Sequence, residues 1–352
     1  MTTMPQKDIG GSKLLTYPDH FQAWLDGKNP GPLVAEVGIV NGCNHNCLHC
    51  DFQQFEPYGK HNKYLDFEVF KTFAKDFADM GGVEFFFAGS GEPMLHPQFS
   101  QIISFAKSLG INCTLSSNGQ ILTRKNAEKL LPNLDWIRCS VNGGDSATYG
   151  KVHDCPPHEF ERLENNLATA IKIRNAGGYD TQLLLQYIIY DLNYDSIPGI
   201  VEFHNRVGTD KLVFRNRVDK VGSKNTVPQH ILDQIRDIET EQTKVEVRWS
   251  NFLDQPDTPT WSKCFGPNFR IYLDAAGNII PCARDFYIEC KIGNINQSSF
   301  KDIWHSKQRA SIYSDIATGK DIPICGKFCQ VAFDNIYVQG WLEKHFRDGK
   351  QK

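Results

Sequence analysis

The 352-residue chain is expected to fold as an α/β protein built on parallel strands, and three features of its sequence carry that expectation. Short runs rich in β-branched and aromatic residues recur along the first two thirds of the chain. Segments with helical spacing separate them, and Gly, Asn and Ser punctuate the strand ends.

The runs lie at 33–40, 83–88, 111–116, 136–141, 181–189 and 211–214, and they read as six strands. Between them, 65–80 sets Phe70, Phe73 and Phe77 on one helical face, and 159–174 does the same with Phe160, Leu163, Leu167 and Ile171. These stripes read as core. Repeated strand–helix units fit either an open doubly wound sheet or a partial barrel, and in both a ligand sits at the C-terminal ends of the strands. Beyond Asn216 the alternation is expected to stop: a polar stretch with Gly222, Ser223 and Pro228 leads to a helix at 231–241. From Cys264 onward come five cysteines, a hairpin through 269–273 and 279–282 turned at Gly277 and Asn278, and a helical 299–315. The expected divisions are a lead-in at 1–32, a core at 33–220, a linker region at 221–262 and a cysteine-rich region at 263–352.

Net charge is -3, with Lys and Arg scattered among acids, so neither nucleic acid nor an acidic membrane surface is an expected partner. The first thirty residues are polar and no apolar run is long enough to span a bilayer, which makes a cytoplasmic protein the expectation. In that reducing compartment 11 cysteines point to metal binding or redox chemistry rather than disulfides.

Directly after the first strand stand Cys43, Cys47 and Cys50 at C-x3-C-x2-C spacing. Three thiolates on a four-iron cube leave one iron open for a substrate or cosubstrate, whereas a closed structural site wants four protein ligands. Taken alone, the triplet is equally a zinc site completed by His45, His49 or His61.

In context the motif resembles that of the radical S-adenosylmethionine (SAM) superfamily, over roughly residues 32–216. That resemblance implies a partial (βα)6 TIM-like barrel, a [4Fe–4S] cluster on Cys43, Cys47 and Cys50, and SAM chelated at the open iron. His49 fills the position that in relatives lies along the adenine. Gly89, Ser90, Gly91, Glu92 and Pro93 resemble the family's GGEP motif with Ser90 in place of its first glycine; Glu92 would fix this turn or bond the SAM amine. Ser117 and Asn118 after the third strand, and Ser140 and Asn142 after the fourth, resemble the polar strand ends that contact SAM. Arg215 or Arg217 would meet an anion. The implied chemistry is one-electron cleavage of SAM to a 5′-deoxyadenosyl radical that takes hydrogen from an unactivated C–H, with flavodoxin or ferredoxin as external reductant.

Cys264, Gly277 and Cys282 resemble the start of the SPASM/Twitch extension, and Gly293-Asn294 followed by 299–304 matches its continuation. Five cysteines are too few for two auxiliary clusters, so the resemblance implies one, most simply another [4Fe–4S], on Cys264, Cys282, Cys325 and Cys329. The last pair is C-x3-C where relatives carry C-x2-C. Cys290 would substitute for one ligand, stay unligated, or donate a hydrogen atom to a substrate radical. A zinc-ribbon-like staple is the alternative for this region. Cys113, Cys139 and Cys155 read as buried apolar residues or bystanders, with Cys155, like Cys290, the alternative hydrogen-atom donor.

The expected function is oxidation of a small polar metabolite such as a sugar or aminocyclitol, because the segment before the first strand is too short for a winged-helix leader-peptide binder. Epimerisation and peptide modification with a separate recognition partner are the enzymatic alternatives. A non-catalytic iron–sulfur or zinc protein is the alternative of another class.

Overall fold

The structure is a computed structural model that describes residues 13–50, 63–217, 226–240, 243–249, 252, 262–282, 290–317 and 332–346. The chain begins with α1 (Lys13–Thr16) and α2 (Pro18–Leu25) and enters β1 (Val34–Val37). A short strand β2 (Val40–Asn41) pairs antiparallel with β3 (Lys63–Tyr64), so the two ends of the cysteine-bearing segment are clamped together. Helices and strands then alternate through α3 (Phe67–Asp79), β4 (Glu84–Phe87), α4 (Phe99–Ser108), β5 (Asn112–Ser117), α5 (Arg124–Leu130) and β6 (Trp136–Ser140). Next come α6 (Ser146–His153), α7 (Glu159–Gly177), β7 (Gln182–Ile189), α8 (Ile197–Val207), β8 (Lys211–Asn216), α9 (Gln229–Ile238) and β9 (Val245–Val247). The remainder supplies β10 (Arg270–Leu273), β11 (Asn278–Ile280), β12 (Gly293–Asn294), α10 (Phe300–Trp304), α11 (Lys307–Ala317) and α12 (Ala332–Phe346).

Local chemistry accounts for the elements that flank the site. Helix α3 starts where the Asp66 carboxylate accepts hydrogen bonds from the Glu68 and Val69 amides, and it buries the expected stripe of Phe70, Phe73 and Phe77. All six expected strands form. The alternation does not stop at Asn216, however: α9 buries Ile231 and Ile235, and β9 then pairs parallel with β8. A three-residue strand among polar neighbours carries too little apolar signal to be read from sequence. The β10–β11 turn is centred on Ala275 and Ala276 rather than on Gly277 and Asn278. Asp274 accepts from the Ala276 and Asn278 amides, and Gly277 takes the left-handed position at φ 83°. The expected helix at 299–315 is interrupted between α10 and α11.

One ten-stranded sheet runs β12-β11-β10-β1-β4-β5-β6-β7-β8-β9, so the C-terminal hairpin extends the same sheet by pairing β10 parallel to β1. Its two faces differ. Ala35, Val37, Phe85, Phe87, Leu115, Ile137, Leu185 and Phe214 point to the helices and form the main core. The register puts Glu36, Phe86, Thr114, Arg138, Gln186 and Arg215 on the opposite face. In a flat sheet β1 and β8 would stand about 24 Å apart, five spacings of ~4.8 Å. Glu36 nevertheless feels the charge of Arg215, and Arg138 that of Arg270. The second face is therefore the concave interior of a partial barrel.

Phe77 is fully buried with its ring 4.7 Å from that of Phe85, and a Cβ on Gly82 would lie 2.2 Å from it. Phe77→Ala is expected to cost about 3–5 kcal/mol, read as a lowered denaturant midpoint at unchanged slope.

Candidate active site at the barrel mouth

The segment following β2 holds Cys43, Cys47 and Cys50, and it rests on the end of α6. A helix leaves its last carbonyls without partners. Here Val152 O accepts from the Leu48 amide at 3.0 Å and His153 O from the Asn46 amide at 3.3 Å. Asp154 caps the helix in the left-handed region, and its carboxylate accepts from Asn46 Nδ2 at 2.6 Å. On the other flank the buried His45 sets Nε2 2.7 Å from Glu159, which also pairs with Arg162 at 2.5 Å. The cysteine segment is thus tied to two helices by partners that stand more than a hundred residues away.

Burial pushes the Cys43 thiol up to about 12, with the Glu92 carboxylate and Cys50 adding to the rise. Cys47 is raised well above the usual thiol range by burial and then by Cys43 and Cys50. Among the described residues, the groups that act most on either thiol are acidic side chains and other thiols. The three side chains are therefore close enough to feel one another.

A histidine absent from the sequence reading organises the centre. The Asn142 amide donates to His153 Nε2 at 3.1 Å, so that nitrogen carries the lone pair. The proton of the neutral ring must then sit on Nδ1, 3.2 Å from Cys47 Sγ, and the bond runs from nitrogen to sulfur. Asn142 is equally committed. Its Oδ1 accepts from the Ile188 amide at 2.8 Å, its Nδ2 donates to His49 Nε2 at 3.0 Å, and its carbonyl accepts from Asn193 Nδ2. Expected as a contact for a bound molecule, Asn142 has one hydrogen bond at each side-chain end within the protein, that of Nδ2 running to His49. The His49 ring, held neutral because burial lowers it to about 4, keeps a buried Nδ1 with no partner among the described residues.

Glu92 is the second hub. Its carboxylate accepts from Ser117 Oγ (2.9 Å), the Asn118 amide (2.8 Å) and the Met94 amide (3.1 Å), tying the turn after β4 to the end of β5. Asn118 Nδ2 reaches Asn44 Oδ1 at 2.7 Å and lies 3.9 Å from Cys43 Sγ. Pro93 opens a buried 3₁₀ turn, and Ser90 Oγ donates to Val40 O at 3.2 Å. A Cβ on Gly91 would lie 2.2 Å from Gly42 O, which is why this turn can press against the cysteine segment only with glycine there. Ser140 stands on the concave side in register with Gln186, and Arg215 Nη1 donates to Gln186 Oε1 at 3.3 Å. Arg217 lies over the Tyr190 ring.

At the C-terminal end, Asn335 Oδ1 accepts from the Phe265 and Gly266 amides and its Nδ2 donates to Cys264 Sγ at 3.5 Å. Cys264 and Cys282 both act on the half-buried Tyr313, so the hairpin brings these two thiols to one locality. Cys290 is half-buried. Cys325, Cys329 and His61 lie outside the described residues. Cys113 and Cys139 are fully buried in the core, whereas Cys155 joins His45 and Glu159, with ligand atoms within 4.8 Å of one another.

Comparison with known proteins now bears on this geometry. The family model for the radical SAM superfamily matches residues 37–203, and that for the SPASM iron–sulfur cluster-binding domain matches residues 264–330. An AdoMet-dependent heme synthase of Oleidesulfovibrio alaskensis is 31% identical over 314 residues, covering 81% of this chain and 77% of its own. The chain belongs to the radical SAM superfamily. A second AdoMet-dependent heme synthase, from Nitratidesulfovibrio vulgaris, is 21% identical over 82% of this chain and 83% of its own. Among solved structures, Streptococcus suis SuiB bound to its precursor peptide SuiA superposes with a TM-score of 0.65 at 14% identity, covering 93% of this chain and 83% of SuiB. The structure of anSMEcpe with bound AdoMet gives a TM-score of 0.59 at 13% identity, over 88% of this chain and 97% of that one. Both share the fold.

A radical SAM protein with a SPASM domain uses SAM, a [4Fe–4S] cluster and an auxiliary iron–sulfur cluster. The residues present fit such groups. Thiols that raise one another are what a cationic metal centre would relieve, and His49 Nδ1, without a partner among the described residues, offers a donor to a bound molecule.

Glu92→Gln keeps the shape but sets an NH2 against protein donors, and is expected to cost about 1–3 kcal/mol in denaturant unfolding of the cluster-free chain. Burial raises Glu92 from 4.5 to about 6, so the folded chain holds this proton more tightly than the unfolded one. Its contribution to stability is therefore fullest below pH 4.5 and lost as pH rises through 6. The wild-type minus variant stability should fall across that interval, and a flat difference would contradict the assignment.

Proposed function

We propose that Cys43, Cys47 and Cys50 hold the SAM-binding [4Fe–4S] cluster, that His49, Asn118, Ser140 and the turn from Gly89 to Pro93 form the surrounding SAM site, and that the enzyme oxidises a C–H bond of a small polar metabolite. The observation that carries this reading is the convergence of three half-buried thiols that act on one another with the polar ends of β4, β5 and β6 at one mouth of the barrel. When bound, the cluster and SAM supply one-electron cleavage of a carbon–sulfur bond and, from it, the agent that takes the hydrogen atom. The chain's own residues do the rest. His153 fixes the direction of one thiolate through its Nδ1–H, Asn142 holds the His49 ring across the mouth, and Glu92 locks the turn that borders the cysteine segment. Buried rings of Tyr149 and Tyr190 line this region and keep water from it.

Cys264 and Cys282, with Cys325 and Cys329 from the part of the chain outside the described residues, are proposed as ligands of the auxiliary cluster, to which the second electron of an oxidation would pass. An external flavodoxin or ferredoxin would supply the first. Support for a small substrate comes from the relatives' names: AdoMet-dependent heme synthase, probable GTP 3′,8-cyclase and S-adenosylmethionine-dependent nucleotide dehydratase. A second reading, peptide modification, is favoured by the similarity to a PqqA peptide cyclase, 21% identical over 79% of this chain.

Anaerobically reconstituted, reduced protein is expected to convert SAM to 5′-deoxyadenosine, measured by liquid chromatography. Iron should fall from about eight per chain to about four in the Cys43/Cys47/Cys50 triple alanine. Intact SAM together with zinc at this position would sink the proposal. His153→Ala removes the N–H···S bond. Its cluster should titrate at a lower midpoint potential by electron paramagnetic resonance, with about tenfold slower SAM cleavage.

A further inference from the structure

We infer that Asn335 of α12 raises the potential of the auxiliary cluster through an N–H···S hydrogen bond to Cys264. This rests on the proposed ligation of that cluster by Cys264 and adds a residue from outside the cysteine-rich segment. The match to the iron–sulfur domain ends at residue 330, before α12 begins.

The direction of the bond follows from the donors around it. Asn335 Oδ1 lies 2.7 Å from the Phe265 amide nitrogen and 3.0 Å from that of Gly266, and two N–H groups can be met only by the oxygen of the side chain. The side-chain nitrogen therefore faces Cys264 Sγ, 3.5 Å away, with a proton to give. One asparagine thus accepts from the two residues that follow Cys264 and donates to the sulfur of Cys264 itself. One turn further along α12, Gln339 Oε1 accepts from the Ser262 amide at 2.6 Å, so the helix grips the chain on both sides of the cysteine.

Packing holds this donor in place. Asn335 is fully buried, and the Phe21 ring seats α12 at 5.6 Å from the ring of Tyr337 and 5.7 Å from that of Trp341. Trp24 packs edge-on against Phe265 at 5.8 Å. An electron that enters an iron–sulfur cluster puts more negative charge on its sulfurs, so an N–H fixed on one of them stabilises the reduced state more than the oxidised one. The bond therefore raises the midpoint and makes this cluster the better electron acceptor.

The test is potentiometry of anaerobically reconstituted full-length protein, followed by electron paramagnetic resonance. The auxiliary signal is the one that survives in the Cys43/Cys47/Cys50 triple alanine. Asn335→Leu keeps the size of the side chain and gives up its proton, and its auxiliary cluster should be about tenfold harder to reduce, a fall of about 59 mV for a one-electron couple. Gln339→Leu removes a bond from the same helix to the same segment without touching sulfur, and should keep the wild-type midpoint. Should Asn335→Leu fail to fold by circular dichroism, Asn335→Ala is read in its place. An unchanged midpoint would overturn the inference, as would an equal fall in Gln339→Leu. Loss of the fold or of the auxiliary iron in both Asn335 variants would overturn it too, because Asn335 would then only hold the segment. Wild type with no second cluster would remove the proposed ligation, and this inference with it. A midpoint that falls in Asn335→Leu while wild type leaves SAM intact would remove the proposed function and not this bond.

Discussion

Two half-buried thiols beside a third and a carboxylate resist ionisation, and the rest of this site is arranged around that resistance. Cys43 and Cys47 are raised further by one another and by Cys50, and Cys43 also by Glu92. Holding them together uncharged contributes little to folding, so the segment that carries them is fastened from outside. The α6 carbonyls take its amides, Glu159 takes His45, and the clamp of β2 on β3 closes its ends. A metal centre converts the same arrangement from repulsive to attractive, because each thiolate then faces positive iron.

Stability and function are divided between the two faces of one sheet. The outer face, with rings such as Phe77, Phe85 and Phe87, packs against helices and supplies the apolar burial that any fold of this size requires. The concave face gives that up. Glu36, Thr114, Arg138 and Gln186 are all buried there, where apolar side chains would have served stability better. The hairpin of β10 and β11 continues this face past β1, so the cysteine-rich part of the chain shares a wall with the barrel, and Tyr272 of β10 presses within 2.5 Å of where a Cβ on Gly89 would lie.

Much of the architecture was legible because it rests on local periodicity. The stripe of Phe70, Phe73 and Phe77 announced α3, and each of the six runs of branched and aromatic residues became a strand. Where periodicity is short the reading failed: Val245 and Val247 alone mark β9, and a turn shifted by two residues kept its glycine but moved its centre. The cysteine triplet and the Glu92 turn were visible as spacing. His153 was not, since 106 residues separate it from Cys47 and no local pattern ties a histidine at a helix end to a thiol. Arg138 left a fainter trace, a charge at an inward position of an otherwise apolar strand.

By itself the sequence determined which elements form, that three thiols share one loop, and which superfamily the chain resembles, because spacing and side-chain period are properties of neighbours along the chain. Only the tertiary structure decided the direction of the His153–Cys47 bond, the commitment of Asn142 to His49, and the gathering of arginines from β6, β8 and β10 into one interior. Those depend on the register and curvature of the sheet, which set distances between residues that the chain itself keeps far apart.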